Sequence, residues 1–291
     1  MAVAARSLPE NVPGPFFVDD SCIDCAKCRE VAPATFADTG HGRSFVFAQP
    51  GDAGARHRAL MALVACPTAS IGTAPRLDAR AATAAFPEAI APGVYDCGFT
   101  AEASFGATSY LLRRADGNVL VDSPRAAAPL LRAIERLGGV RRLFLTHGDD
   151  VADHRRLAEA FGCTRILHEG DVGPGTASVE HILRGRDPVE LAPGLTIIPV
   201  PGHTRGSAAL LAAEMFLFTG DHVWGSEDGE GLSASRAVCW YSWTEQRRSL
   251  ERLLDLRFEW VLPGHGRRFR APSAAAMRDA VERLLRALPK T

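Results

Sequence analysis

The segment from Leu143 to His154 concentrates five side chains that could do chemistry. Its apolar start is typical of the buried end of a strand, and a short polar loop follows. The loop carries His147, Asp149, Asp150, Asp153 and His154. Unpaired buried charges are strongly unfavourable. The loop is therefore either a solvated turn whose aspartate caps the next helix, or a place where these groups surround a cation.

Three further residues favour the cation. His203 lies in Pro-Gly-His-Thr, Asp221 in Thr-Gly-Asp-His and His265 in Pro-Gly-His-Gly, and each follows an apolar run. Imidazole and carboxylate groups are the ligands that catalytic zinc and non-haem iron prefer. The sequence therefore predicts a metal centre at one edge of a sheet.

A second set of ligands lies near the N-terminus. The run Cys22-Ile-Asp-Cys25-Ala-Lys-Cys28 is followed, much later, by Cys66-Pro67. Cys-x2-Cys-x2-Cys can hold one face of an iron–sulfur cubane, and a distant Cys-Pro can supply the fourth ligand. Four cysteines also suit zinc, although zinc sites more often pair them as two Cys-x2-Cys units.

This segment resembles the single-cluster bacterial-type ferredoxins over roughly residues 14–73. The resemblance implies a [4Fe–4S] cluster bound by Cys22, Cys25, Cys28 and Cys66. It also implies electron transfer, since a ferredoxin unit holds and passes single electrons, although some clusters of this kind only hold a small domain together. Residues 52–65 are predicted to form a helix beside the cluster.

Composition limits what kind of protein can carry these sites. The net charge is −1, so no basic surface indicates nucleic acid. No apolar run approaches the roughly 20 residues that span a membrane, and we expect neither a signal peptide nor a disulfide framework from the seven cysteines. We therefore expect a cytoplasmic protein that acts on a small molecule. Its oligomeric state cannot be read from the sequence.

Alternating strand and helix patterns position the second site. They begin with a predicted hairpin at 109–122, turned by Asp116-Gly117, and end with a helix at 274–288. A capping box at Ser242–Glu245 marks another helix. We predict an α/β chain with three parts: residues 1–75 as a small α+β ferredoxin-like domain, 76–89 as a linker, and 90–291 as a layered α/β domain.

Residues 90–270 resemble the metallo-β-lactamase superfamily, an αββα sandwich. Three of its motifs stand intact around His203, Asp221 and His265, and Asp122 matches its aspartate behind the metal site. The first motif departs from Thr-His-x-His-x-Asp-His, because the second histidine is missing. Aligned from the left, Asp149 takes its place and two residues are inserted; aligned from the right, Val151 falls there.

The resemblance implies two adjacent metals, or one if the second site is degraded. Asp153, His154 and His265 would bind one metal, and His147, His203 and Asp149 the other. Asp221 would bridge, with Asp153 and Asp221 as catalytic carboxylates. Iron and zinc both remain open. His222, next to the bridge, could reach the cavity, whereas we expect His168, His181, Cys97, Cys163 and Cys239 to be packing residues.

Three functions follow. The favoured hypothesis is redox chemistry at non-haem iron, supplied with electrons by the attached cluster and by a partner such as a reductase or ferredoxin. The first alternative is hydrolysis of an ester, thioester or related bond by a metal-bound hydroxide. The second alternative is a non-catalytic redox sensor or electron-transfer module.

Overall fold

A computed structural model describes residues 1–289 of the chain. Contacts between Cα atoms divide it into two compact units. Unit 1 contains residues 1–141 and 152–163, and unit 2 contains residues 142–151 and 164–291. The predicted boundaries at 75 and 90 stay a prediction. The predicted mixed α/β class is confirmed.

Unit 1 begins with two small antiparallel sheets and two helices. Strand β1 (Phe16–Val18) pairs with β4 (Ile71–Thr73), and β2 (Phe36–Asp38) pairs with β3 (Ser44–Val46). Helix α1 spans Lys27–Val31 and α2 spans Ala53–Ala65. The Asp52 side chain accepts a hydrogen bond from the N–H of Ala55, which fixes the start of α2. The predicted helix at 52–65 is therefore confirmed.

The rest of unit 1 is an antiparallel meander with three helices. The segment predicted as a linker contains α3 (Arg80–Ala84) and the start of β5. Strand β5 (Glu88–Ala91) is followed by β6 (Val94–Asp96), β7 (Tyr110–Leu112) and β8 (Val119–Val121), each antiparallel to the one before. The pair β7–β8 is the predicted hairpin. Helix α4 spans Ala128–Arg136 and α5 spans His154–Phe161.

Unit 2 holds a parallel set of strands and a separate sheet of six. Strands β9 (Arg142–Phe144), β10 (Thr164–His168) and β11 (His181–Leu183) run parallel. The sheet of six has the order β12-β13-β14-β15-β18-β19. Its strands are β12 (Val189–Ala192), β13 (Leu195–Pro199), β14 (Ala208–Ala212), β15 (Phe216–Gly220), β18 (Trp260–Pro263) and β19 (Phe269–Arg270). A short ribbon pairs β16 (Trp224–Gly225) with β17 (Leu232–Ser233).

Two helices cover one face of this sheet. Helix α6 spans Trp243–Arg252 and α7 spans Ala274–Ala287. Their apolar residues join strand residues such as Ile198, Leu217 and Val261 in one buried cluster. The Ser242 side chain accepts the N–H of Glu245, as the predicted capping box requires. Burial of this apolar surface is the main force that holds the strand ends in place.

The directions of the strands explain where the polar residues lie. Strands β13, β14 and β15 alternate in direction, and β18 is parallel to β15. Strands β13, β15 and β18 therefore all run the same way, and their carboxyl ends lie at one edge of the sheet. No helix among residues 1–289 is both long enough and apolar enough to cross a lipid bilayer.

Candidate functional site

The four predicted cluster cysteines line one cavity of unit 1, and we call them the cysteine cradle (Cys22, Cys25, Cys28 and Cys66). Backbone N–H groups already point at two of the sulfurs. The N–H of Ser44 donates to Cys22 Sγ at 3.4 Å and the N–H of Ser70 donates to Cys66 Sγ at 3.3 Å. Such donors stabilise sulfur that carries negative charge, as the thiolate ligands of a cluster do.

The short loop of the cradle turns by unusual backbone angles. Asp24 and Ala26, the residues before Cys25 and after it, both have φ of 61°. This left-handed conformation is uncommon for residues other than glycine, and it often marks a functional constraint. Here it accompanies a chain path that brings three cysteines of one loop to a single cavity.

Burial controls the chemistry of the cradle thiols. It raises the pKa of Cys25 and of Cys28 to about 12, so both thiols are neutral at pH 7 unless a cation compensates the thiolate. Ile23, Pro67 and Ile71 complete a largely apolar lining. Four sulfurs around one largely apolar cavity fit an iron–sulfur cluster, which would supply the compensating positive charge.

Residues beyond the ferredoxin-like segment also contact the cradle within unit 1. A Cβ placed on Gly106 would lie 2.5 Å from Cys25 Cβ, and Gly106 has φ of +82°. The ammonium group of Lys27, between two cradle cysteines, is buried and lies 2.7 Å from Asp96 and 2.9 Å from Glu30. The loop after β6 is thus part of the wall around Cys25, which spacing alone did not predict.

Unit 2 gathers six imidazole and carboxylate groups, which we call the donor set (His147, Asp149, Asp150, His203, Asp221 and His265). His147 and the two aspartates follow β9, and the other three follow β13, β15 and β18 at the common edge of the sheet. Two groups of three have ligand atoms within 4.8 Å of one another: His147 with Asp149 and His203, and His147 with Asp150 and Asp221.

Distances within the donor set suit metal ions between the side chains. His203 Nε2 lies 3.4 Å from Asp149 Oδ2 and 3.7 Å from Asp221 Oδ2, and His147 Nε2 lies 3.8 Å from Asp221 Oδ2. Ligands of one metal, each about 2.0–2.2 Å from it, lie about 3–4 Å apart. His265 Nδ1 lies 2.9 Å from both oxygens of Asp221, so this carboxylate is shared by three imidazoles.

Two histidines are oriented by their other ring nitrogen. His203 Nδ1 contacts the carbonyl oxygen of Val238 at 2.5 Å, and His147 Nδ1 lies 2.9 Å from Thr146 Oγ1. Both Nε2 atoms are buried, and neither makes a hydrogen bond within residues 1–289. The Val238 carbonyl fixes the tautomer of His203 whose Nε2 lone pair can bind a metal. The orphaned Nε2 atoms of both histidines fit a metal centre.

The pKa values reflect the close packing of charges. Burial lowers the pKa of His147. Burial also lowers that of His203, but the Asp149 and Asp221 carboxylates outweigh it and raise the pKa of His203 overall. Burial raises the pKa of Asp221, yet His265 and the other imidazoles hold it well below its usual range. The neighbouring imidazoles also lower the pKa of Asp149, so the Asp149 and Asp221 carboxylates are ionised at neutral pH and able to bind cations.

The loop that departs from the expected motif places its carboxylates differently from the prediction. Asp149 is in the donor set, half-exposed, as the left-hand alignment requires, and Asp150 is buried with its Oδ2 3.8 Å from His147 Nε2. Asp153 and His154, predicted as ligands, belong to neither group of close donors among the described residues. Asp153 Oδ2 instead accepts the N–H of Ala126 at 2.8 Å.

His154 and Asp122 both lie in unit 1. His154 is the first residue of α5 and is buried. Asp122 follows β8, is buried, and has φ of 58°. Asp150 belongs to the loop that the sequence marked as a candidate cation site, but the ligand set implied by the resemblance did not include it. The excess of carboxylates in the loop was the available signal.

Asp171, which the sequence did not mark as a site residue, lies behind two histidines of the donor set. Its carboxylate accepts the N–H of Gly148 at 2.9 Å, the N–H of Gly206 at 2.8 Å and the hydroxyl of Thr204 at 2.5 Å. Gly148 lies beside His147, and Thr204 lies beside His203. One carboxylate therefore connects the two loops that carry these ligands. Its position shortly after β10 was the only hint in the sequence.

The remaining candidates have varied environments. His222 is fully buried, both ring nitrogens lack a hydrogen bond within the described residues, and burial lowers its pKa to about 3. The His168 ring is held between Gly185 and Gly170, and His181 is exposed. Cys97 and Cys163 are buried, and Cys239 is partly exposed with Sγ donating to the carbonyl of Gly202.

Comparison with known proteins identifies two regions. Residues 104–265 match the family model described as the metallo-beta-lactamase superfamily. Residues 18–73 match the model described as the 4Fe-4S single cluster domain of ferredoxin I. The two resemblances predicted from the motifs are thereby confirmed.

The curated relatives carry a hydrolase name. The hydroxyacylglutathione hydrolase of Anaeromyxobacter dehalogenans (strain 2CP-C) is 39% identical over 120 residues, which are 39% of this chain and 44% of that enzyme. The hydroxyacylglutathione hydrolase of Hyphomonas neptunium (strain ATCC 15444) is 30% identical over 130 residues, 43% of this chain and 50% of that enzyme. The chain thus spans about half the length of the curated relatives it matches.

A solved structure supports the fold. The BLEG-1 B3 metallo-beta-lactamase aligns with a TM-score of 0.52 and 18% identity, over 66% of this chain and 99% of that one. At this level of identity the likeness concerns the chain path alone.

Proposed function

Because the chain belongs to the metallo-beta-lactamase superfamily, we propose that its donor set holds two divalent metal ions and that it hydrolyses an ester or thioester. The observation that carries this proposal is the convergence of three histidines and three aspartates. Two of the histidines, His147 and His203, have buried Nε2 atoms that make no hydrogen bond within the described residues. The relatives' hydrolase name points the same way.

Each residue of the donor set has a proposed place. His147, Asp149 and His203 would hold one metal, and Asp150 and His265 the other, with Asp150 in the role that the sequence analysis gave to Asp153. Asp221 lies within 3.8 Å of His147 and within 3.7 Å of His203 and contacts His265. It would therefore bridge the two metals. When bound, such a pair lowers the pKa of water from about 15.7 toward about 7.

The protein's own residues set the direction of substrate approach. Among the aspartates of the donor set, Asp149 is the exposed one, at 54% of its side chain, whereas Asp150 is 1% exposed. The set therefore opens to solvent at Asp149. Trp240, 66% exposed, lies with its ring 6.1 Å from that of His203 and offers an apolar contact at the same opening.

The test combines metal content with hydrolysis. Protein purified without oxygen should contain two divalent ions besides the cluster iron and should hydrolyse an activated ester or an acyl thioester. Asp221→Ala should lose both ions and the activity, because it removes the shared carboxylate. Two retained ions in this variant would rule out the bridge, and an inactive wild type with both metals bound would rule out hydrolysis.

The cysteine cradle supports redox chemistry as the second candidate. We propose that the cradle holds a [4Fe–4S] cluster, whose use is the transfer of single electrons. Three carboxylates beside three imidazoles form a harder ligand set than histidine alone, and such a set suits iron. In this case the donor set would contain two irons and would need a reductase or ferredoxin as a partner.

Spectroscopy separates the two candidates. If the donor-set metal is iron that changes oxidation state when the protein is reduced, the redox function is favoured. If it is zinc, and hydrolysis is unaffected by Cys28→Ala, the hydrolase is favoured and the cluster has another role.

A further inference from the structure

A cavity of about 480 Å³ in unit 2 borders the loop that carries His203. Its lining includes His168, Glu169, Arg186, Arg205, Ser207 and Tyr241. None of the donor set is among its lining residues. The cavity nevertheless adjoins the donor set, because Pro201 and Arg205 are each two residues from His203. The N–H of Tyr241 also donates to the carbonyl oxygen of His203 at 3.0 Å.

Most polar groups of this cavity are already engaged. Glu169 pairs with Arg184 at 3.2 Å and accepts the N–H of Gly185 at 3.1 Å. Arg186 pairs with Glu245 at 2.7 Å. Both ring nitrogens of His168 have backbone partners. The charges of these groups are therefore largely compensated within the protein.

Arg205 is the exception. Its side chain is exposed, and its guanidinium makes no ion pair or hydrogen bond with the described residues. One cation is therefore available in a cavity of the size that binds small molecules, about 300–1,000 Å³. A guanidinium binds a carboxylate with two parallel hydrogen bonds, and a single unpaired cation compensates the single charge of a carboxylate.

We propose that this cavity binds a carboxylate at the end of the substrate remote from the scissile bond, with Arg205 as the anchor. The assignment of the reaction rests on the proposed hydrolase function, and the inference adds the substrate class: acyl esters or thioesters that carry a negatively charged group. Arg205 binds this group and does not touch the reacting atoms.

Binding can be measured without turnover. We would titrate the metal-loaded protein by calorimetry with N-phenylsuccinamic acid and with its neutral counterpart N-phenylbutyramide. The wild type should bind the acid at least about tenfold more tightly, which is the scale of a hydrogen bond to a charged group. Arg205→Gln should abolish this preference. Arg283→Gln, an exposed arginine on α7 outside the cavity, should keep it.

The matching kinetic experiment uses mono-p-nitrophenyl succinate and p-nitrophenyl butyrate. The ratio of their kcat/KM values should fall at least about tenfold in Arg205→Gln, mainly through KM, because the contact is made equally in the ground and transition states. Melting temperature and metal content of each variant would show that the fold is intact.

The outcomes separate the two proposals. Preferential binding of the acid without any hydrolysis would overturn the hydrolase and leave the carboxylate site supported. Equal binding of acid and amide, or an unchanged preference in Arg205→Gln, would overturn the carboxylate site whatever the activity. Competition by inorganic phosphate at lower concentration than by succinate would replace the carboxylate assignment with a phosphate one.

Discussion

The cysteine cradle and the donor set gather their ligands in different ways. Three of the four cradle cysteines come from one segment of seven residues, and burial raises the pKa of the Cys25 and Cys28 thiols. The donor set comes from the ends of four strands, and its imidazoles lower the pKa of Asp149 and Asp221. A local loop can be recognised by spacing alone, whereas a centre built from distant strands depends on how each loop folds.

Removal of one cradle cysteine should have the largest effect. Cys28→Ala deletes a buried ligand, and three thiolates cannot complete the four-cysteine set of a [4Fe–4S] cluster. We expect nearly complete loss of cluster iron, sulfide and visible absorbance. Cys163→Ala, another buried cysteine of unit 1, should retain all three. One equivalent of zinc without sulfide in the wild type would contradict the cluster.

The second prediction concerns the two aspartates on which sequence and structure differ. Asp150→Ala removes a buried carboxylate of the donor set and should weaken metal binding more than about 100-fold, beyond the typical effect of residues behind the ligands. Asp153→Ala should keep the metals and lose about 1 kcal/mol of unfolding free energy, because the N–H of Ala126 loses its acceptor. Metal titration and chemical denaturation measure the two quantities, and the opposite result would restore the motif-based ligands.

This difference shows what the sequence could predict. The hairpin, the helices after Ser242 and Ser273, and the strands ahead of His203, Asp221 and His265 all follow from local patterns of apolar residues and caps. The cradle follows from cysteine spacing. These features depend on neighbours in the chain, so a single sequence contains the information.

The folding of the loop from His147 to His154 depends on distant residues instead. Asp153 faces a backbone N–H that lies 27 residues earlier in the chain. Asp150 fits inward beside Gly264, where a Cβ would lie 2.7 Å from its Oδ2. No local pattern specifies which of three carboxylates makes such contacts, so the motif alignment could not choose among them.

Substitution of Asp171 tests whether hydrogen bonds to the loops of His147 and His203 are needed for metal binding by the donor set. Asp171→Ala removes three hydrogen bonds that hold the loops of His147 and His203 together. We expect metal affinity to fall about 10–100-fold, because the ligands lose their fixed orientation. The control is Asp228→Ala, which removes hydrogen bonds within a surface loop only. Unchanged metal affinity in Asp171→Ala would show that the ligand loops are held by packing alone.

Gly106 offers a milder test of the cradle. Gly106→Ala places a methyl group against Cys25 and forces a residue with a side chain to adopt φ of +82°. Gly93→Ala is the control. It also forces a residue with a side chain to adopt a positive φ, of +76°, but its methyl group would contact only a carbonyl oxygen, at 3.6 Å. Each variant should lose about 1–2 kcal/mol of stability, and only Gly106→Ala should also lower the cluster content, measured as iron per protein. Equal cluster content in both variants would mean that the loop after β6 does not limit the cradle.

The smallest effect should come from an ion pair outside both ligand sets. Glu180, before β11, accepts hydrogen bonds from the side chain and backbone of Arg165 on β10, and the Arg165 side chain lowers the pKa of Glu180 to about 2. The unfolded carboxyl binds its proton at higher pH than the folded one does. The pair therefore stabilises the fold above the unfolded pKa, near 4.5, and this contribution disappears as the pH falls toward 2.

Because Glu180 is 46% exposed, we expect the pair to contribute at most about 1 kcal/mol to the free energy of unfolding. The difference in unfolding free energy between wild type and Glu180→Gln should be largest at about pH 7 and smaller at about pH 3.5. A difference that grows on acidification would show that the pair does not stabilise β10 and β11. The position of Asp171, shortly after β10, would then depend on its own three hydrogen bonds.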